Sequence, residues 1–197
     1  MPKVSGAHRE ARRAEIVAAA VRAITEKGIS RTSMADIIAA SGLSVGAIYG
    51  HFEGKREIIA AVADHVLGRR REAIDSRLKQ GPPPSPGELV ALVARGVLRE
   101  GIDPRAMIQV WAEALAEPEI IAILQGAVRT LQGAIDRALR AWFEAHPEQA
   151  PDGPDITARR LRPVIIALIQ GFMVQRSLFE DFDEDAYLET VRTVLPH

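Results

Sequence analysis

Residues Thr32–Lys55, TSMADIIAASGLSVGAIYGHFEGK, decide how this chain is read. Ser33 followed three residues later by Asp36 is an S-x-x-D capping box, in which hydroxyl and carboxylate each accept from the other's backbone N–H. Met34, Ile37 and Ile38 then give the new helix an apolar face. Ser41-Gly42-Leu43 ends it, Gly42 being free to take positive φ. Ser44 caps a second helix, Val45 to about Gly50, with Ala47 and Ile48 inward and Ser44, Gly46 and Tyr49 outward. A capped helix, a glycine turn and a second helix with small and polar residues facing out form a helix-turn-helix, whose second helix enters the major groove of DNA.

Downstream, Phe52 reads as a core anchor and Gly54 as the N-cap of a fourth helix, with Lys55 at its first position and Glu57 at its third. A lysine in the first turn opposes the helix dipole. A bound anion resolves the conflict, since helix N-terminus and ammonium together make a phosphate site; a solvated lysine is the plainer alternative. His51 offers a phosphate donor and Tyr49 a hydroxyl on a short aromatic arm.

The DIIAASGLSVGAIYGHFEGK run, the Ile16–Gly28 helix before it, and the group Tyr49, His51, Phe52 and Lys55 resemble the tetracycline-repressor (TetR) family of bacterial one-component regulators. The motif-level resemblance covers roughly residues 8–65; beyond it only helix count and layout match. It implies an all-α fold of about nine helices. Residues 1–54 would be a three-helix DNA-binding domain and 55–197 a helical effector-binding and dimerisation domain. It implies that Lys55 contacts DNA backbone, that the fourth helix links head to body, and that two terminal helices pair with a second copy as a four-helix bundle. The expected DNA contacts are Thr32, Ser33, Ser44, Val45, Gly46, Ala47, Tyr49, His51 and Lys55. Most are backbone contacts, because Val45, Gly46 and Ala47 offer base edges little hydrogen bonding, although Val45 and Ala47 suit thymine methyls.

Composition sets outer bounds. At 197 residues and 47% apolar content the chain is long and apolar enough to bury a substantial core. The absence of cysteine excludes disulfides, thiolate metal sites and cysteine nucleophiles. No signal-peptide pattern opens the sequence, and the longest apolar run, Val164–Val174, holds Gln170 and is too short to span a bilayer. The expected setting is therefore the cytoplasm, without a membrane partner. The net charge of −1 conceals an asymmetry: residues 1–79 carry 14 Lys/Arg against 9 Asp/Glu, the remainder 11 against 17. A basic front and an acidic back fit a nucleic-acid module joined to a body that need not touch phosphate.

In chain order, residues 1–7 read as a loose arm, with Lys3, Arg9, Arg12 and Arg13 near it. These are minor-groove or backbone contacts in a DNA-binding reading, or simply a solvated helix start. A helix from about His8 to Lys27 carries Ile16, Val17, Ala20, Val21 and Ile24 on one face and stops at Gly28. The fourth helix, about Lys55–Gln80, buries Ile58, Ile59, Val62, Val66 and Leu67, and its Arg69-Arg70-Arg71 run reads as an exposed face or as ion pairs. Pro82-Pro83-Pro84 breaks the chain. New helices open at Ser85-Pro86, with Glu88 completing a box, at Asp103-Pro104 and at Pro118. Residues 146–155 form a loop, after which a helix from about Asp155 to Glu180 should kink or restart at Pro163. Its Val164–Val174 segment is apolar nearly all round, so it should be covered on two sides. A last helix, about Glu184–Leu195, follows Asp183 as cap.

Candidate dimer residues are Ile165, Leu168, Gly171, Phe172, Tyr187 and Val191. Candidate effector contacts are Met107, Trp111, Phe143, Phe172, Met173 and Gln175, although aromatics and methionines at helical spacing equally make plain core. Few polar anchors among them would favour a small apolar or amphipathic effector. The resulting expectation is a repressor that binds an inverted-repeat double-stranded DNA operator as a homodimer and is released by that effector. The alternatives are a helical small-molecule-binding protein or enzyme with a vestigial head, and an architectural helix-turn-helix protein without a ligand. No catalytic constellation supports an enzyme: the histidines, His8, His51, His65, His146 and His197, show no His-x-x-x-His or Glu-x-x-His spacing. No cofactor and no metal is expected.

Overall fold

The computed structural model describes residues 6–99 and 103–197, without the side chain of Ala106. The helices, in order, are α1 (Gly6–Lys27), α2 (Met34–Ser41), α3 (Val45–Tyr49), α4 (Lys55–Lys79), α5 (Pro86–Arg99), α6 (Pro104–Ala116), α7 (Pro118–Ala145), α8 (Pro154–Leu178) and α9 (Glu184–Val194). A 3-10 turn, Pro147–Gln149, lies between α7 and α8. Among the described residues there is no strand, and the architecture is all-α as expected. Helix α1 starts at Gly6, inside the stretch read as an arm, and Lys3 lies outside the described residues. Helix α8 runs through Pro163 as one helix rather than restarting.

Local chemistry sets the boundaries. The Ser33–Asp36 box closes in both directions: Asp36 N donates to Ser33 Oγ at 3.2 Å and Ser33 N to Asp36 Oδ2 at 2.8 Å. Ser85 and Glu88 repeat it at α5, with Ser85 N donating to Glu88 Oε2 at 2.9 Å. Gly42 ends α2 at φ 67°, its N–H bonding Ile38 O, and Gly28 ends α1 at φ 82°. Asp183 caps α9 by accepting from Ala186 N at 2.9 Å.

The chain divides into two compact units, residues 1–66 with 109–127, and 67–108 with 128–197. In the first, Ile16, Val17, Ala20, Ile37, Ile48, Phe52 and Ile58 make one core, flanked by Met34, Ile38, Leu43, Ala61 and Val62. A second cluster joins Ile24, Ile29 and Ile59 to Ala114 and Ile120. In the second unit, α5 packs against both α8 and α9. Its buried side chains include Leu89, Val90, Val93 and Val97 from α5, Ile135, Leu139 and Phe143 from α7, and Ile165, Phe172 and Met173 from α8. Phe172, Phe182 and Tyr187 meet pairwise with ring centroids 5.5–5.6 Å apart, and Tyr187 Oη donates to Leu168 O at 2.8 Å. Burial raises the Tyr187 phenol above its ordinary pKa.

Arg70 departs from its expected exposure: it is 3% exposed, while Arg69 is exposed and Arg71 lies 3.6 Å from Glu72. The Arg70 guanidinium packs against α5 beside Gly96, where a Cβ would sit 3.6 Å away, in ordinary van der Waals contact.

Helix α5 and helix α9 approach most closely at Gly87, where a Cβ would meet the Arg192 Cα at 2.7 Å. The obstacle is backbone, which has no rotamer to yield. Gly87→Ala is therefore expected to destabilise the protein by about 1–3 kcal/mol, the usual cost of overpacking. Chemical denaturation of the two proteins, compared at constant m-value, measures it.

Candidate nucleic-acid interface

Helix α3 has five residues, too few to hold itself in water. Two things fix it. Ser44 Oγ accepts from Ala47 N at 3.2 Å, closing the N-terminus, and Ile48, fully buried, anchors the helix beside Phe52 in the core. With the inner side so occupied, the outer side carries Val45 at 55% and Tyr49 at 51% exposure, together with the exposed Ser44 and Gly46. Ala47 is half-buried. Two half-exposed side chains beside small and polar ones thus leave this face open to solvent.

Beneath it, Arg13 of α1 clamps the segment that follows. Its Nη1 donates to His51 O at 3.0 Å and approaches Glu57 Oε1 at 3.3 Å, while its guanidinium carbon lies 4.1 Å from the Phe52 ring centroid. Glu57 in turn accepts from Glu53 N at 2.8 Å. That N–H first, and Arg13 after it, hold the Glu57 carboxyl below its ordinary pKa. Arg13 thus braces the segment after α3 while its side chain stays partly exposed, and Arg12 pairs with Glu15 at 2.7 Å. Arg9 is exposed.

The remaining site residues divide by where their polar atoms point. Lys55 Nζ donates to Ser30 O at 3.1 Å, which leaves an ammonium two further donors at the start of α4. His51 is half-buried with its carbonyl held by Arg13. Ser33 is exposed, its hydroxyl engaged with Asp36 at 2.6 Å. Thr32 differs from the outward contact read in the sequence: it is 1% exposed, and its hydroxyl is 2.7 Å from Gly28 O and 3.2 Å from Ala23 O. Four residues past the glycine that ends α1, the Thr32 hydroxyl folds back to satisfy carbonyls at that helix end, a role the sequence does not distinguish from exposure.

Sequence reasoning missed the supports of this surface. Lys27 Nζ reaches Asp36 Oδ1 at 2.6 Å, and Arg22 donates to Ala40 O at 3.0 Å, stapling α1 to α2. Ser30 donates from its backbone to Glu113 at 2.8 Å and from its hydroxyl to Glu117 at 2.8 Å, and Arg56 pairs with Glu119. These contacts tie the loop before α2 and the first turn of α4 to the α6–α7 corner within the same compact unit.

Of the effector candidates, Phe143, Phe172 and Met173 are fully buried, Met107 and Trp111 half-buried, and Gln175 exposed. Of the dimer candidates, Ile165, Phe172 and Val191 are covered by this chain's own helices, and Leu168, Gly171 and Tyr187 are half-buried. A helix apolar all round does not announce which side its own core takes. Here the side left open carries Val164 at 45% and Leu178 at 68% exposure. Among the described residues no group of acids and histidines is placed to hold a metal ion, and no helix is long and apolar enough to cross a membrane.

The Lys27 ammonium, then the Ser33 hydroxyl and N–H, hold the Asp36 carboxyl far below its ordinary pKa. A carboxyl whose folded-state pKa is depressed stabilises the fold above its unfolded value of about 4 and loses that contribution as pH falls below it. Asp36→Asn should therefore lower the melting temperature at neutral pH. The gap between the two proteins should close as pH drops below about 4, the ordinary aspartate range. Circular-dichroism melts across pH test both; a gap that widens in acid contradicts the assignment.

Comparison with known proteins places this geometry among regulators. The profile of bacterial regulatory proteins of the tetR family matches residues 16–62. The chain is 28% identical over 194 residues to the HTH-type transcriptional regulator BetI of Paraburkholderia xenovorans, covering 96% of this chain and 93% of that one. It is likewise 28% identical over 171 residues to an uncharacterized HTH-type transcriptional regulator of Mycobacterium tuberculosis, covering 86% and 82%. In fold it is similar to the transcriptional regulator FadR of Bacillus subtilis, solved in complex with stearoyl-CoA, at a TM-score of 0.70 and 19% identity over 92% of this chain and 96% of that one.

Proposed function

Because this chain belongs to the tetracycline-repressor family of bacterial transcriptional regulators, we propose that it is a cytoplasmic repressor. It binds an inverted-repeat operator as a homodimer and leaves it when a small apolar or amphipathic effector binds. The observation that carries this reading is the outer face of α3, where Val45 and Tyr49 stand half in solvent over the fully buried Ile48. Residues 1–54 serve as the reading domain and 55–197 as the effector-binding and dimerisation domain.

Val45 and Ala47 meet thymine methyls, Ser44 supplies one hydroxyl, and the close approach at Gly46 is unobstructed, since a Cβ there would meet nothing within 4 Å. Tyr49, His51, Ser33 and Lys55 hold phosphates on either side. Thr32, buried, acts on the DNA only by positioning Ser33.

Pairing uses the side of α8 and α9 that the chain itself leaves open: Val164, Leu168, Gly171 and Leu178 with Val194, which is 76% exposed. Two-fold pairing of the protein then matches the two-fold symmetry of the operator. The complex of FadR with stearoyl-CoA supports an amphipathic effector for this chain too. Met107, Trp111 and the exposed Gln175 are the accessible candidates for its contacts; Phe143, Phe172 and Met173 join them only in a body whose helices have spread. Effector binding favours that spread body, with α4, which runs from head to body, as the lever, in a shift between two populated states.

Selection from random duplexes should enrich an inverted repeat; a dimer that retains no duplex at low ionic strength refutes the reading. Lys55→Ala should weaken all duplexes alike and reduce the salt slope of binding by about one unit. An unchanged slope removes Lys55 from the phosphate contacts. Operator affinity that is equal with and without a bound effector discards the release mechanism.

A further inference from the structure

The proline-rich corner between α4 and α5 is the most marked break in the sequence, and nothing in DNA reading uses it. It builds a cleft of about 260 Å³ lined by Arg77, Pro84, Glu88, Ala91, Leu92, Arg95, Arg99 and Arg192. Among the described residues four arginines and one glutamate thus line one open space. We propose that this cleft is a binding site for a compact polyanion, a small molecule carrying two or more phosphate or carboxylate charges. The site is independent of the reading of α3 and would stand without it.

Three features of the geometry favour an anion over a merely solvated basic face. First, the guanidiniums are held by separate elements. Arg77 comes from the last turn of α4 and donates to Pro82 O at 2.7 Å, which fixes it at the corner. Arg95 and Arg99 lie one turn apart on α5. Arg192 is brought over α5 by the close α5–α9 approach at Gly87.

Second, the charge is incompletely balanced. Glu88 directs Oε2 at Ser85 N, capping α5. Asp185 pairs with Arg95 at 2.7 Å and Glu189 with Arg192 at 3.0 Å, but these carboxylates are 87% and 68% exposed. Exposed pairs of that kind are worth little and yield readily to a better-placed anion. Among the described residues no carboxylate pairs with Arg77 or Arg99.

Third, donors outnumber their present uses. A guanidinium has five N–H donors in a planar fork that matches the paired oxygens of phosphate and carboxylate. Among the described residues Arg77 has one acceptor, Pro82 O, and Arg95 one, Asp185. Their remaining donors suit a ligand with several oxygens. The volume fits a group the size of pyrophosphate or citrate better than a drug-sized ligand, whose pockets begin at about 300 Å³.

Titration calorimetry on the full-length protein, with pyrophosphate and with citrate at matched ionic strength, tests the site. One ligand per chain with a dissociation constant of about 1 mM or tighter is expected for at least one of them. The tighter of the two tells whether phosphate or carboxylate is the recognised group. Arg99→Gln, an exposed position, should weaken binding about tenfold, as loss of a charge-assisted pair does. Arg77→Gln should do the same. Melting temperatures control for folding; if Arg77→Gln melts early, Arg99→Gln decides alone. No saturable heat for either anion up to about 10 mM overturns the proposal. So does binding that survives Arg99→Gln and is lost in Lys55→Ala, which would put the anion on the reading head.

Discussion

A five-residue helix cannot stand alone, and everything this protein presents to DNA in our reading depends on seating one. Nucleating a helix fixes several residues for its first hydrogen bond, so α3 owes its existence to tertiary contacts. Burying Ile48 and Phe52 contributes about 1.5–3 kcal/mol each. The Ser44 cap adds about 1 kcal/mol. Arg13 then secures the exit from α3 by holding the His51 carbonyl and covering the Phe52 ring. The outer face is left to small and half-exposed residues because the inner face carries the whole burden of attachment.

The same economy shapes the rest of the first unit. Asp36 serves the Ser33 box and Lys27 at once, so one carboxylate both starts α2 and ties it to α1. Ser30 is held by two glutamates from the α6–α7 corner, and its carbonyl receives Lys55. A lysine that bonds a loop carbonyl and still keeps donors for phosphate is mechanically coupled to that loop. Any shift of the α6–α7 corner therefore reaches the start of α4 through few atoms.

In the second unit, two arginines show how burial and exposure of like residues are decided by neighbours. Arg70 is buried against α5 beside Gly96, while Arg99, three residues beyond that glycine, stays in solvent. Gly87 is where a missing side chain matters: it lets α9 come close to α5, since a Cβ there would meet the Arg192 Cα at 2.7 Å.

The all-α architecture, the helix boundaries and the helix-turn-helix were legible because they are local. Ser33 with Asp36, Ser85 with Glu88, Asp103-Pro104, Pro118 and the glycines at 28 and 42 act within a few residues, through caps, missing N–H groups and positive φ. The inward direction of Ile48 follows from the same short-range periodicity. What the residues alone left open lies at long range. Arg13 meets His51 across 38 positions and Ser30 meets Glu113 across 83, and no local pattern marks either pair. Thr32 and Arg70 are polar types that ordinarily face water; only the packing around them turned both inward. For the Val164–Val174 segment of α8, apolar nearly all round, the sequence set an expectation of cover on two sides without saying which. The tertiary structure decided that Ile165 and Phe172 face home and Val164 and Leu178 face out, because only the placement of α5 and α9 selects a side.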